Sequence, residues 1–209
     1  MLILHDYLPS QNGWKARVLF GLLDIPYQTR LVSIFEGEGR TDAFFEINPA
    51  GGIPVLELED GRTIAESNAI LTYVAEGTRF LPADRYLHAK VMQWLFFEQY
   101  HVEPVIGTLR FWTLTGRLES NAVLGEAKRA GSLRTLAALE RGLKNTPFLV
   151  GEEFSIADIA VYAYAHRAAD CGFDLADYPA FTAWLDRVLD VIGPGYPVHL
   201  YSEDPHSAV

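Results

Sequence analysis

Cysteine is nearly absent from this chain, since Cys171 is the only one among 209 residues. A single cysteine cannot close an intrachain disulfide, so nothing indicates a small secreted scaffold held together by disulfides. Basic residues are also few: 17 lysines and arginines face 27 acidic residues, which leaves a net charge of −10. Nucleic acids and anionic membranes bind basic surfaces, so this charge disfavours both as general partners.

Long apolar runs are missing as well. No stretch approaches the ~18 to 20 apolar residues of a membrane-spanning helix. The opening MLILHDYLPS lacks the basic segment and the longer apolar run of a signal peptide. The six histidines show no metal-binding spacing, because His101 and Glu103 are two residues apart and would not share a helix face. We therefore expect a cytoplasmic protein that binds no metal, no membrane and no nucleic acid.

The overall composition, with 49% apolar and 21% charged residues, is typical of a globular protein. An apolar run of strand length covers residues 2–7. Residues 14–25 then show helical spacing, and Pro26 stops that helix. A β-branched stretch, residues 27–34, predicts a second strand. Strand-helix-strand units usually pair their strands in parallel.

The pattern changes after the first eighty residues. A short helix at 41–48, a hairpin turning at Asp60-Gly61 and a helix over 66–76 complete the order β-α-β-α-β-β-α. Beyond the connector GTRFLPADR we predict helices only, with Pro104 interrupting the first of them. A later helix is expected to bury Leu133, Leu136, Ala137 and Leu143. The sequence thus predicts an α/β domain over 1–78 and an all-helical domain over 84–209.

Two polar motifs stand where predicted strands give way to helices. Ser10 and Asn12 lie near the start of the first helix, where backbone N–H groups and the helix dipole favour an anion. Either residue would equally serve as a helix cap. Glu66 and Ser67 open another helix, and there too capping competes with binding of an α-amino acid head group. Both pairs of interpretations stay open at this point.

A third motif, FSIAD, is interpreted as structural. Ser155 is a hydroxyl N-cap and Asp158 stands at the third helical position, which is the arrangement of a capping box. His166 lies in an apolar helix and is interpreted as a core histidine. Cys171 has no cysteine or histidine partner nearby, so a thiol nucleophile is not indicated.

Together, PSQNGWKAR, NPAGGIPVLE, ESNAI and FSIAD, in this order and over nearly the whole chain, resemble the cytosolic glutathione transferase superfamily. The likeness is greatest to bacterial members with a Ser and Asn loop before the first helix. The resemblance implies a thioredoxin-like N-terminal domain, an all-helical C-terminal domain and a homodimer. It also implies a cis peptide bond before Pro54, with the backbone of Ile53 free to pair with glutathione.

The resemblance further implies a glutathione S-transferase active in detoxification. Its co-substrate glutathione, held by Ile53, Pro54, Glu66 and Ser67, would attack a small electrophile, peroxide or disulfide as the thiolate. Ser10 would donate a hydrogen bond to the sulfur, with Asn12 as the second candidate. The aromatic-rich helix is expected to line either the acceptor pocket or the dimer interface, and its candidates for the acceptor pocket are Tyr100, His101, Phe111 and Trp112.

One position departs from the family pattern. The family usually carries a long polar or basic side chain at position 52, which reaches the glycyl carboxylate of glutathione, whereas this chain has Gly52. Lys15, Arg17 and Arg40 are the cations considered as substitutes. The departure motivates two alternatives: a non-catalytic binding module on the same fold, and a glutathione-dependent isomerase or dehalogenase.

Overall fold

The computed structural model describes residues 1–207 and divides the chain into two compact units. The first comprises Met1–Glu76 together with the C-terminal segment that starts at Gly195, and the second is Gly77–Pro194. This differs from the sequence-based domains, which placed all of 84–209 in the helical domain. The reason is visible in the contacts of the C-terminal segment: the indole Nε1 of Trp14 donates to the carbonyl of Tyr196 at 3.0 Å.

The first unit is built on a four-stranded sheet. Its strands are β1 (Leu2–Asp6), β2 (Tyr27–Leu31), β3 (Val55–Glu57) and β4 (Thr63–Ala65). Their spatial order is β2-β1-β3-β4, with β1 parallel to β2 and the other two pairs antiparallel. The helices are α1 (Gln11–Leu22), α2 (Asp42–Phe45) and α3 (Ser67–Ala75). The predicted order of strands and helices is confirmed.

The two faces of this sheet carry separate apolar clusters because successive strand residues point to opposite sides. One cluster contains Leu4 and Leu56, which are cross-strand partners, and packs them against Phe20 of α1 and Ile70 of α3. The other cluster joins Val55 to Phe44 of α2. The sheet is therefore covered by α1 and α3 on one face and by α2 on the other.

The second unit contains helices without an extended sheet in its described residues. Its helices are α4 (Arg85–Phe97), α5 (Thr108–Leu114), α6 (Ala122–Leu143), α7 (Ile156–Ala165) and α8 (Pro179–Ile192). A π-helical segment, Glu98–Gly107, joins α4 to α5 and contains Pro104. A proline has no N–H to donate, and a wider helical turn accommodates this gap in the hydrogen-bond ladder. The predicted fold class, a thioredoxin-like domain followed by an all-helical domain, is confirmed.

The buried stripe of α6 differs from the prediction at two residues, because Leu133 is exposed and Ala137 is only partly buried. Leu136, Leu139 and Leu143 are buried, whereas Leu133 is 45% exposed. Ser132 is buried instead. Spacings of four, three and four residues from position 132 keep one face of the helix inward, and position 133 lies about 100° away from that face. The prediction that Leu133 is a core residue is wrong.

Helix α7 is buried along its whole length, from Ile156 to Ala165. Ser155 is its N-cap: the Ala157 N–H donates to the Ser155 hydroxyl at 3.2 Å, and the Ser155 N–H donates to the Asp158 carboxylate at 3.0 Å. In the part of the chain that the structure describes, no helix is long and apolar enough to span a membrane.

His166, at the end of α7, makes the stability of the fold depend on pH. Its ring stacks on Tyr162 at 4.4 Å between centroids, and its Nδ1 lies 2.6 Å from the Tyr162 carbonyl. Burial lowers the pKa of His166 from its ordinary 6.5 to about 4, and the nearby guanidinium groups of Arg167 and Arg110 act in the same direction. In the unfolded chain His166 is therefore protonated as the pH falls through about 6.5, whereas in the folded chain it is protonated only near pH 4.

We accordingly expect the free energy of unfolding to fall as the pH drops from 6.5 to 4, by up to about 3 kcal/mol from this residue. Urea denaturation at intervals across this range measures it. His166→Phe keeps a ring against Tyr162 but cannot be protonated, so its curve should be flatter. Parallel curves for the two proteins would contradict the assignment.

Candidate functional site

Ser10 lies at the junction between β1 and α1 and is the N-cap of α1. Its backbone N–H donates to the Tyr7 carbonyl at 2.7 Å, and its hydroxyl oxygen accepts from the Gly13 N–H at 3.4 Å. A hydroxyl that accepts one hydrogen bond still has its own proton to donate. Capping and donation to a ligand are therefore compatible at Ser10, although the sequence presented them as alternatives.

The loop before Ser10 is held by a buried ion pair. The Asp6 carboxylate, fully buried at the end of β1, is paired with Arg17 of α1 and accepts the Tyr7 N–H at 2.8 Å. Burial raises the pKa of Asp6, and the Arg17 guanidinium opposes that rise. A Cβ at Gly13 would overlap the Asp6 carboxylate, so only glycine allows the first turn of α1 to approach this closely. These contacts fix Ser10 relative to the sheet.

Asn12 belongs to a polar cluster that joins α1 to α3. Its Oδ1 accepts from Lys15 Nζ at 2.8 Å and from the Ser67 hydroxyl at 3.1 Å. Lys15 Nζ also lies 3.2 Å from the Ser67 hydroxyl oxygen. Lys15 is fully buried, and Ser67 is nearly so. These contacts engage the Asn12 carbonyl oxygen, which is an acceptor, so the choice between Ser10 and Asn12 as the donor to a ligand sulfur stays a prediction.

Glu66, and not Ser67, is the N-cap of α3, and its side chain makes no capping hydrogen bond. Capping thus does not explain Ser67, which is the first residue of the helix and bonds to Asn12. Glu66 has a positive φ of 67°, an uncommon conformation for a residue with a side chain. Its exposed carboxylate and the N-terminus of α3 present opposite charges side by side, as an α-amino acid head group requires.

The start of β3 lies at the same edge of the sheet. His5 pairs with Val55, and Val55 pairs with Ala65, so the end of β1, Pro54 and Glu66 are neighbours by register. The Ile53-Pro54 peptide bond is cis, as the resemblance implied. Within residues 1–207, the N–H and C=O groups of Ile53 make no hydrogen bond. A ligand with an extended backbone could pair with them.

The loop before Ile53 is shaped by Asn48. Its Nδ2 donates to the Gly52 carbonyl at 2.8 Å, and its Oδ1 accepts the Ala50 N–H at 3.0 Å. A Cβ built at Gly52 would meet only the Asn48 Nδ2, at 3.9 Å. The position therefore has room for a side chain, and the absence of one is not imposed by packing.

A cation nevertheless lies beside this loop. The Arg40 Nη1 donates to the Ala50 carbonyl at 3.1 Å, and it would lie 3.0 Å from a Cβ at Gly51. That same Cβ would overlap the Gly39 carbonyl, and Gly51 has a φ of 68°, so this position requires glycine. Arg40 is thus the exposed cation that the structure places nearest to Gly52 among the three considered.

The other two cations have different positions. Arg17 is engaged with Asp6 and the Leu8 carbonyl. Lys15 lies at the start of α3, not beside Gly52. Sequence reasoning therefore missed Lys15 as part of the Glu66-Ser67 half of the site. Its spacing of three residues from Asn12 on a helix was the available signal.

The four acceptor-pocket candidates lie in the second unit. Tyr100 is 78% exposed and packs edge-on against His101 at 4.8 Å between centroids. These two line a groove against α6, whereas Phe111 lies under Arg117 and Trp112 follows it on α5. The structure therefore brings Tyr100 and His101 together in one groove. The role of all four residues in acceptor binding stays a prediction.

Comparisons with known proteins agree with the fold described above. A model of the glutathione S-transferase N-terminal domain matches residues 9–76, and one of the C-terminal domain matches residues 122–187. The chain is 29% identical to the disulfide-bond oxidoreductase YfcG of Escherichia coli K12, over 87% of each chain. It is 30% identical to a probable maleylacetoacetate isomerase 1 of Drosophila melanogaster, over 93% of this chain and 81% of that one.

A solved structure of a glutathione S-transferase from Pseudomonas fluorescens Pf-5 is also similar. It is 42% identical, with a TM-score of 0.88 over 97% of this chain and 99% of that one. The chain therefore belongs to the glutathione S-transferase superfamily, as its sequence motifs indicated. The predicted enzyme class, a glutathione transferase, is confirmed, and the family defines glutathione as its co-substrate.

Proposed function

We propose that this enzyme binds reduced glutathione along the edge formed by Ser10, Ile53 and Glu66-Ser67 and activates its thiol for attack on a small acceptor. The observation that carries the proposal is the backbone of Ile53, whose N–H and C=O have no partner in the described residues. The cysteinyl part of glutathione pairs with this backbone. Its thiol then lies towards Ser10, at the end of the neighbouring strand.

The charges around the edge fit the two ends of the tripeptide. At the γ-glutamyl end, Glu66 receives the ammonium group, while Ser67, Lys15 and the N-terminus of α3 receive the carboxylate. At the other end, Arg40 receives the glycyl carboxylate in place of the side chain that Gly52 lacks. Glutathione is thereby oriented by ionic contacts at both ends and by backbone pairing in its middle.

Activation of the thiol follows from the position of Ser10. A free thiol has a pKa of ~8.5 and is only slightly ionised at neutral pH. A hydrogen bond from the Ser10 hydroxyl and the positive end of α1 both stabilise the thiolate, so they lower that pKa. The thiolate attacks an electrophilic carbon, a peroxide or a disulfide. Ser10 acts as a hydrogen-bond donor and forms no covalent bond.

The proposal extends to the setting of the reaction. We place the enzyme in the cytoplasm, with its reduced glutathione pool, as a homodimer acting in detoxification. Exposed apolar side chains on α4 support a self-associating surface: Tyr86 is 70% and Phe96 is 66% exposed.

Calorimetry with reduced glutathione, followed by turnover assays, tests the proposal. The acceptors are a chlorodinitrobenzene, an organic peroxide and a mixed disulfide, and at least one should be turned over with millimolar glutathione. If millimolar glutathione produces neither heat nor turnover, the proposal is wrong and the non-catalytic binding module becomes the better interpretation.

Gly52→Lys provides a gain-of-function prediction. The position has open space and no positive φ, so the side chain should be tolerated and should place a second cation beside the glycyl carboxylate. We expect the KM for glutathione to fall about threefold to tenfold, the range of a partly exposed charged hydrogen bond. Gly52→Met is the uncharged control of similar length. Equal KM values for both variants would show that the carboxylate lies elsewhere.

One alternative is favoured by a specific observation, the 30% identity to a probable maleylacetoacetate isomerase. Such an isomerase uses the same glutathione edge and differs in its acceptor. Glutathione-dependent isomerisation of maleylacetoacetate, faster than every transfer reaction in the panel, would favour this alternative.

A further inference from the structure

A cavity of about 410 Å³ opens within the first unit, next to the residue that precedes Ser10. Three segments enclose it: the end of β1 with its loop, the chain that follows β2, and the C-terminal segment. Its charged lining residues are Glu36, Glu38, Glu203, Asp204 and His206. We call this cavity the tail pocket.

The charge of the tail pocket is strongly one-sided. Four carboxylates line it, whereas its lining contains no lysine or arginine. Two histidines face these carboxylates: His206, in the lining, lies 3.4 Å from Glu36, and His199, outside it, lies 3.0 Å from Glu203. Leu8, Pro9 and Val32 supply an apolar floor between the carboxylates and Ser10. Clefts lined by one sign of charge concentrate ligands of the opposite sign.

A buried hydroxyl without a well-formed hydrogen bond lies beside one of these carboxylates, Asp204. Tyr7 is only 6% exposed, and its hydroxyl oxygen makes no hydrogen bond of acceptable geometry to residues 1–207. Burial and the adjacent Asp204 carboxylate raise the pKa of Tyr7, so the hydroxyl stays neutral and is oriented towards the C-terminal wall. Buried polar groups without partners are rare in native proteins, and a bound molecule is one way to satisfy them.

The wall supplied by the C-terminal segment is anchored to α1 and to the loop that follows β1. The Tyr201 ring stacks on Tyr7 with a centroid distance of 6.3 Å, and the Tyr196 carbonyl accepts the Trp14 indole N–H at 3.0 Å. Glu203 is held in place because it accepts the Leu200 N–H at 2.9 Å. Glu203 is therefore held in a defined position on this wall.

We propose that the tail pocket binds the second substrate and selects an acceptor that carries a positive charge, of which an amine-bearing disulfide is the best fit. The proposal rests on the proposed function, because it needs glutathione bound beside Ser10. The ammonium group lies among the carboxylates, while the apolar part extends over Leu8 and Pro9 towards the thiolate. An acceptor that carries a carboxylate is disfavoured.

The chemistry balances without a further reactant. The glutathione thiolate attacks one sulfur of the disulfide, so one S–S bond forms while the old one breaks, and the amine thiol leaves as a thiolate that takes a proton from water. A second glutathione repeats the exchange on the mixed disulfide. Two glutathiones are oxidised to their disulfide, and the acceptor is reduced to two thiols.

Three symmetric disulfides of similar size test the selection: cystamine is a dication, 2-hydroxyethyl disulfide is neutral, and 3,3′-dithiodipropionate is a dianion. Each kcat/KM is divided by the rate constant of the uncatalysed reaction with glutathione. We expect the corrected value for cystamine to exceed that for the dianion by about tenfold or more at low salt. The ratio should shrink as salt screens the carboxylates.

The double variant Glu36→Gln, Glu203→Gln removes two of the four charges and should reduce the ratio about threefold or more. Tyr7→Phe should raise the KM for cystamine. Glu153→Gln changes an exposed carboxylate in the second unit and is the matched control. Thermal denaturation verifies that each variant is folded.

The outcomes separate the two proposals. A ratio near one, a preference for the dianion, or a ratio that the double variant leaves unchanged would overturn the selection while the proposed function stands. Turnover of none of the three disulfides or of the other acceptors, at millimolar glutathione, would overturn the proposed function itself.

Discussion

Ser10→Ala is expected to lower the kcat of glutathione transfer to a chlorodinitrobenzene by about 10- to 100-fold. The range corresponds to a hydrogen bond to a charged group, worth about 1.5–3 kcal/mol. The hydroxyl contributes more when the sulfur is a thiolate than when it is a thiol, so the loss is expected in kcat more than in the KM for glutathione. Steady-state kinetics at saturating acceptor measure both constants.

The same variant should change the ionisation of bound glutathione. Without the Ser10 hydroxyl we expect the pKa of the thiol to rise by about one unit, since one unit corresponds to about 1.4 kcal/mol. The ultraviolet absorbance of the thiolate, titrated with the enzyme in excess over glutathione, measures this pKa directly. The pH profile of kcat should move upward by the same amount.

Loss of the helix cap is a separate effect of Ser10→Ala and has to be subtracted. The hydroxyl accepts the Gly13 N–H, and removal of such a cap costs about 1 kcal/mol of stability. Ser10→Thr keeps both the cap and the donated proton, so it should retain most of the activity. Asn12→Ala should instead raise the KM for glutathione, because Asn12 bonds to Lys15 and Ser67. Unchanged kcat in Ser10→Ala would move the donor role to Asn12 or to the backbone.

The contrast between Ser10 and Asn12 shows what sequence patterns can establish. Local signals predicted the start of α3 closely, because caps, strand ends and helical spacing are short-range properties, whereas α1 begins at Gln11 and not at the predicted residue 14. They placed Ser10, Pro54 and Glu66 correctly at the ends of elements. They left the donor undecided, because the partner of the Asn12 side chain, Ser67, is 55 residues away along the chain.

Long-range packing also explains the two features that the sequence did not predict. Lys15 is fully buried between α1 and α3, although lysine is rarely buried without a partner. The C-terminal segment packs against β1 and α1, although its proline-rich composition suggested only an irregular tail. In both cases the contact depends on the folded arrangement, which no local pattern encodes. The tail pocket was for that reason invisible in the sequence.

Asp158→Ala is expected to destabilise the enzyme by about 4 kcal/mol, the largest effect predicted for a residue outside the glutathione edge. The fully buried carboxylate accepts four hydrogen bonds. Two come from the Ser155 N–H and hydroxyl, one from the Leu149 N–H at 2.9 Å, and one from the Trp184 indole at 2.9 Å. Alanine would leave all four donors unpaired inside the second unit.

Comparison with smaller changes separates capping from this wider role. Ser155→Ala removes the hydroxyl cap and should cost about 1 kcal/mol. Trp184→Phe removes one donor and should also cost about 1 kcal/mol. If Asp158 served only the helix end, its replacement would resemble Ser155→Ala. Urea denaturation should show that Asp158→Ala costs several times more than Ser155→Ala, because the carboxylate joins α7 to the segment before it and to α8. A cost of Asp158→Ala below 1 kcal/mol would show that water satisfies the donors.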